Sequence, residues 1–243
     1  MNSSSQPISG ARRNQLLMNL PDTEWSRWKE NLQLVDLSFG QILCETGRAT
    51  PYAIFPTTAI VSMQYMTQEG ATPEIAVVGN DGVVDISLLM GGTVMPSQAI
   101  VQAAGQAYRL PAQILRNYCH CGGPILNMLL RYTQALIAQV AQTAMCNRYH
   151  TIEQQLCRRL LLGLDRLPSN TLLMTQEVVA KLLGVRRESV TIAALKLQHD
   201  GLICYRRGRI DVLNREGLER RACDCYKCLT NIYERLLPMP LAA

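Results

Sequence analysis

The chain has 243 residues, 48% hydrophobic and 18% charged, a globular composition with room for one large domain or two ordinary ones. Nine cysteines, with no signal-peptide pattern in the opening MNSSSQPISGARRNQLL, argue against a secreted disulfide framework and lead to the expectation of free thiols in the cytoplasm. The net charge of +5 sits wholly in the last third: residues 1–150 carry 9 basic and 9 acidic side chains, residues 151–243 carry 15 and 10.

After a polar tail, Leu16, Leu17, Leu20, Trp25 and Trp28 predict short helical structure around Pro21. From about 32 to 112 the texture is β-type, with runs at Tyr52–Pro56, Ala59–Tyr65, Glu74–Val78, Ala99–Ala103 and Ala107–Leu110. Breaks such as Gly47, Gly70, Gly79-Asn80-Asp81-Gly82, Gly91-Gly92 and Gly105 separate them, a rhythm that suits an antiparallel barrel or sandwich. After Gly122-Gly123-Pro124 the pattern turns helical for about 25 residues. Leu126, Leu129, Thr133, Leu136, Val140 and Thr143 recur at spacings of 3 and 4, and this seam is predicted to form a homodimer interface. A second stripe, Leu130, Ile137, Ala141 and Ala144, lies beside it, so the helix has two apolar faces. Gln134, Gln139 and Gln142 make the segment too polar to span a bilayer, and no membrane partner is expected. From Thr151 another helix carries Ile152, Leu156, Leu160, Leu161 and Leu164 toward Pro168. Two short helices and a hairpin reach residue 213, and one more helix is predicted from Glu216 to the region of Pro238 and Pro240.

The segment QEVVAKLLGVRRESVTIAAL, Gln176 to Leu195, has the spacing of a helix-turn-helix. Ala180 is small where two helices must cross, Gly184 stands where the turn needs positive φ, and Val190 is β-branched where the second helix is pinned. Val179, Leu183, Val185 and Leu195 are expected in its core, and Thr175 is expected to cap the first helix. The second helix opens with Arg186, Arg187, Glu188 and Ser189 and continues to Thr191 and Lys196, side chains suited to base edges and phosphates. Around Gly208, two β-prone runs form a hairpin whose tip bears Arg206, Arg207 and Arg209, as a winged helix presents to phosphates. With Thr175 and Gln176 these residues make the predicted contact set for double-stranded DNA.

In this order of parts the chain resembles the Crp/Fnr family of bacterial regulators over nearly its whole length. The most specific match is Leu183-Gly184-Val185-Arg186-Arg187-Glu188-Ser189-Val190. The resemblance implies an α+β fold: an antiparallel, cyclic-nucleotide-binding-like β-roll with an N-terminal helix (1–122), a dimerisation helix (123–150) and a winged helix-turn-helix (151–243). It implies a homodimer on a palindromic operator, Arg187 and Glu188 as base readers, and RNA polymerase as a further candidate partner. Ile192 stands where the family often has a second base-reading arginine. The family's nucleotide cassette corresponds to Asn80-Asp81-Gly82-Val83-Val84-Asp85 and Ser97-Gln98-Ala99. There the ribose-binding glutamate has shortened to Asp85 and the phosphate-binding arginine has become Ser97. A phosphate buried without that cation is costly, so the roll is expected without its cyclic AMP site. Asp81, Asp85, Ser97, Gln98 and Arg131 are the candidate effector-pocket residues.

Two cysteine groups, Cys119-His120-Cys121 and Cys223-Asp224-Cys225-Tyr226-Lys227-Cys228, offer soft ligands, and a metal or redox sensor on the same scaffold is the alternative reading. Neither group supplies four ligands at zinc-finger spacing, so the expectation is no metal and no cofactor. No phosphate-binding G-x-x-x-x-G-K-[ST] loop and no G-x-S-x-G elbow occurs, and no catalytic residues are assigned.

Overall fold

The computed structural model describes residues 8–92 and 94–238; Pro240 and the first seven residues lie outside this range. The chain divides into two compact units, one of residues 1–61, 78–133 and 237–243, the other of residues 62–77 and 134–236. Compactness therefore puts the boundary inside the long helix and assigns residues 62–77 to the C-terminal unit.

In the first unit, helices α1 (Gln15–Met18) and α2 (Asp22–Trp28) precede the strands. Asn14 caps α1, and its buried amide also donates to the carbonyls of Pro56 and Gly82 at 2.9 and 2.8 Å. Strands β1 (Gln33–Leu37), β2 (Ile42–Cys44), β3 (Tyr52–Pro56), β4 (Ile60–Gln64), β5 (Glu74–Val78), β6 (Gln98–Ala103) and β7 (Gly105–Pro111) follow, with residues 62–64 of β4 and 74–77 of β5 counted in the second unit. They form two sheets, ordered β1-β7-β3 and β2-β6-β4-β5. β7 pairs antiparallel with β1 and with β3, setting Ala107 opposite Val35 and Pro56. Helix α3 (Ala112–Cys121) comes next. The core centres on Trp28, wholly buried, with its ring 6.0 Å from Phe55 and 5.5 Å from Tyr118. β1 and β2 fall within the stretch expected to be β-type, though not among its named runs, because Gln33–Leu37 and Ile42–Cys44 are short and only partly buried; α3 is not anticipated.

Helix α4 (Pro124–Tyr149) is the long helix expected after Gly122-Gly123. Its two apolar stripes differ in how far the protomer covers them. Leu129, Thr133 and Leu136, placed by their spacing in a dimer seam, are buried within the protomer, and Leu126 and Thr143 are half-buried. The neighbouring stripe faces solvent: Leu130, Gln134, Ile137, Ala141 and Ala144 are exposed, with Val140 beside them. A 3–4 repeat marks both faces equally, and only packing tells which is already covered.

In the second unit, Thr151 opens α5 (Ile152–Leu164) with a reciprocal capping box through Gln154. β8 (Thr171–Leu173), α6 (Gln176–Leu183), α7 (Arg187–His199), β9 (Ile203–Arg206) and β10 (Arg209–Val212) follow, with the strands ordered β8-β10-β9. Leu156, Leu160, Val190, Leu197, Ile210 and Leu218 form their common core. The predicted single tail helix is two, α8 (Arg215–Arg221) and α9 (Asp224–Leu236). Ala222 is extended between them, and no Gly or Pro there announces the break. Residues 62–77 of this unit are held by polar side chains. The buried Gln139 accepts from Val77 N–H at 2.6 Å, donates to its carbonyl at 3.2 Å and donates to Tyr233 at 2.8 Å. It thus satisfies both backbone groups of one strand residue. Glu74 and Arg159 form a buried ion pair. No helix of the described residues is long and apolar enough to cross a membrane.

Candidate nucleic-acid interface

Thr175 is extended and its hydroxyl accepts from Val178 N–H at 3.2 Å, starting α6 as the sequence predicts. Gly184 ends it at φ 66°, with the Gly184 N–H reaching Lys181 O at 3.2 Å and the Val185 N–H reaching Ala180 O at 3.0 Å. These are the two bonds of a Schellman turn, and the left-handed residue is what redirects the chain into α7. Ala180 and Val190 are buried between the helices. The Thr191 hydroxyl donates to Gln176 Oε1 at 2.8 Å, so these two predicted DNA contacts hold α6 against α7.

At the start of α7, Arg186, Arg187 and Glu188 are exposed and Ser189 is half-buried. The same outward face continues with Ile192, 70% exposed, and Leu195, 58% exposed. Leu195 was expected in the core. Its neighbours Ala194 and Leu197 fill that space instead, because the helical phase points residues 188, 192, 195 and 199 outward together. Lys196 Nζ lies 2.6 Å from Glu153 Oε2, and Arg221 holds the other oxygen at 2.5 Å. Burial raises the Glu153 pKa, but the bonds from Lys196 and Arg221 outweigh it and keep the carboxyl below its ordinary range. Lys196, its side chain 57% exposed, thus makes an ion pair with α5 through Glu153, a residue not singled out in the sequence.

The wing is a two-residue hairpin, with Arg207 at φ 48°, Gly208 at φ 76° and Arg206 opposite Arg209. Positive φ at both central positions matches the twist of the strands. A Cβ on Gly208 would lie 3.2 Å from the Thr175 side chain, so the wing tip sits against the start of α6. Arg206, Arg207 and Arg209 are exposed, but Arg209 Nε is 2.9 Å from Asp211 Oδ1. Hydrogen bonds from Thr171 and Arg209 lower the Asp211 pKa, so that partner stays charged.

Residues 154–221 match the family Crp-like helix-turn-helix domain. Over 87% of its length the chain is similar in structure to a protein from Eubacterium rectale described as a putative transcriptional regulator of the Crp/Fnr family, with a TM-score of 0.66, 17% identity and coverage of 97% of that chain. The chain has the Crp/Fnr-type transcriptional regulator fold. Within that fold it is also similar to FixK2 from Bradyrhizobium japonicum (TM-score 0.64, 14% identity, 79% and 98% covered). A third similar structure is CLP of Xanthomonas campestris, described as a c-di-GMP responsive global regulator (0.61, 14%, 79% and 99%). No curated protein matches the sequence significantly.

In the roll of this Crp/Fnr-type fold, the cassette carboxylates serve the loop. Asp81 accepts from Gly79 N–H at 2.9 Å. Asp85, 1% exposed and at φ 72°, caps the short 3-10 turn Ile86–Leu88 by accepting from Ser87 N–H at 3.0 Å and from its hydroxyl. Ser97 is buried, Gln98 is half-buried at the start of β6, and Arg131 is exposed on α4. A cavity of about 480 Å³ in this unit is lined by Pro21, Glu24, Arg27, Tyr118, Pro124 and Ile125 among others, and includes none of the five candidate effector residues.

Proposed function

We propose that the chain is a homodimeric, cytoplasmic regulator that binds a palindromic DNA operator through α7 and the wing, and that it is not an enzyme. The observation that carries this reading is the exposed Arg186-Arg187-Glu188 opening of α7, set by a Schellman turn beside a basic hairpin tip. Arg187 reads guanine and Glu188 the cytosine amino group, Arg206 and Arg207 take phosphates, and Ile192 meets thymine methyl groups. Arg187→Ala is expected to cost roughly 1–3 kcal/mol in operator affinity and to relax selection at one base pair. Arg207→Ala is expected to weaken all sequences alike and flatten the salt dependence. Footprinting and titration at two salt concentrations separate the two effects, and a footprint indifferent to Arg187→Ala removes that residue from the recognition set.

The dimer is assigned to the exposed stripe of α4. Leu130, Gln134, Ile137, Ala141 and Ala144 keep the 3–4 alternation of a coiled-coil seam and remain uncovered in the protomer. Pairing them about a twofold axis would present two recognition helices about 34 Å apart, one DNA turn. Ile137→Asp is expected to give folded monomers by light scattering and circular dichroism, whereas Leu136→Asp, in the protomer core, is expected to unfold the chain. Wild-type protein that is monomeric at micromolar concentration would refute the assignment.

A further inference from the structure

The fold joins residues that lie far apart in the sequence into one cluster of metal-binding type. Cys146 and His150 lie one turn apart at the end of α4, and Cys223 and Cys225 lie at the entry to α9. One ligand atom from each falls within 4.8 Å of all the others. Cys146 Sγ is 3.5 Å from Cys223 Sγ, and Cys225 Sγ is 3.5 Å from His150 Nδ1. A tetrahedron with metal–sulfur bonds of about 2.3 Å and metal–nitrogen bonds of about 2.0–2.1 Å has edges of roughly 3.5–3.8 Å. The cluster is already near that size.

Three further features fit a metal. The three thiols are buried and form a small core of their own, separate from the aliphatic core of the unit. The second ring nitrogen of His150 faces Asp224 Oδ1 at 3.6 Å, placing a carboxylate where metal-bound histidines commonly have one. Arg158 is buried, its Nε has no hydrogen-bond partner, and its positive charge acts on Cys146 and Cys225. A dication with three thiolates and a neutral imidazole carries one net negative charge, which Arg158 offsets.

From this geometry we infer that Cys146, His150, Cys223 and Cys225 form a tetrahedral site for a single soft dication of the zinc class. Thiolate and imidazole donors favour zinc over harder ions. An iron–sulfur cluster spreads its cysteines over several irons, and this ligand set converges on one point. The ion clamps the end of α4 to the start of α9 and so fixes the helix that leads into α5. Of the sequence-adjacent cysteines, Cys228 is exposed and outside the site, where Gln142 Nε2 meets it at 3.2 Å.

The test is titration of the full-length, reduced, metal-free protein with zinc against a chromophoric chelator, and with cobalt(II) as a spectroscopic probe. One tight equivalent of zinc per protomer is expected, with intense thiolate-to-cobalt charge-transfer bands and tetrahedral d–d bands. Cys146→Ser and His150→Ala are expected to abolish the tight equivalent and Cys228→Ser to leave it unchanged. Asp224→Asn is expected to weaken binding by about 10–100-fold. The wild-type cobalt spectrum decides the matter even if a cysteine variant fails to fold. Six-coordinate cobalt, binding indifferent to Cys146→Ser and His150→Ala, or metal-free reduced protein that takes up no zinc would each overturn the site.

Discussion

Glu74→Ala is expected to destabilise the C-terminal unit by about 3–5 kcal/mol, because it leaves the Arg159 guanidinium buried without its counter-charge. Arg159 is 4% exposed, with Nε 2.5 Å from Glu74 Oε1 and Nη2 3.1 Å from Oε2. The two residues are 85 positions apart, on β5 and α5, so the pair ties the segment of residues 62–77 to the first helix of the winged-helix region. An exposed pair would contribute no more than about 1 kcal/mol, and this magnitude is what separates the cases. The informative companion is the double variant Glu74→Met, Arg159→Leu. Removing both charges and keeping apolar volume is expected to recover most of the loss, since a buried pair stabilises little over a hydrophobic replacement. Urea denaturation of the wild type, Glu74→Met, Arg159→Leu and the double variant closes the cycle, with Glu74→Ala measured beside them. A Glu74→Ala loss below about 1 kcal/mol would mean that water reaches the guanidinium and that the pair behaves as a surface bridge.

Gly82→Ala is expected to cost about 2–4 kcal/mol, from overpacking of about 1–3 kcal/mol and loss of a buried hydrogen bond worth about 1 kcal/mol. The reason is space, not backbone conformation. A Cβ on Gly82 would lie 2.3 Å from Tyr132 Oη and 2.4 Å from Cε2. Tyr132 is 1% exposed and its hydroxyl donates to Val83 O at 2.9 Å, so the ring must leave a fixed position in the core. Tyr132→Leu in the Gly82→Ala background removes the clashing ring atoms and is expected to make the alanine nearly neutral relative to Tyr132→Leu alone. Thermal melting of the four proteins checks this. A Gly82→Ala protein as stable as wild type would mean that the loop yields and that Tyr132 does not pack on it as described.

Gly82 also shows how far a sequence can be read. In Gly79-Asn80-Asp81-Gly82 it looks like ordinary turn chemistry, and the tyrosine that requires a glycine there lies fifty positions on. The unequal covering of the α4 stripes has the same origin. Spacing states that Leu129, Leu136, Ile137 and Ala141 line apolar faces, but the protomer covers Leu129 and Leu136 and leaves Ile137 and Ala141 open. Nothing in the spacing of Lys196 shows the bond it makes to Glu153, 43 residues earlier.

What the sequence alone determined is the winged helix-turn-helix and its order after a β-rich half and a long helix. Thr175, Ala180, Gly184, Val190 and the Arg207-Gly208 turn act within a few residues, where helix caps, Schellman bonds and positive φ are local matters of backbone geometry. Only the tertiary structure decided which apolar stripe of α4 stays open, which cations are held by acids, and that Cys146 and His150 meet Cys223 and Cys225. Those outcomes depend on the rotation and docking of elements some 75 residues apart. Side-chain spacing along one helix carries no information about what another segment brings against it.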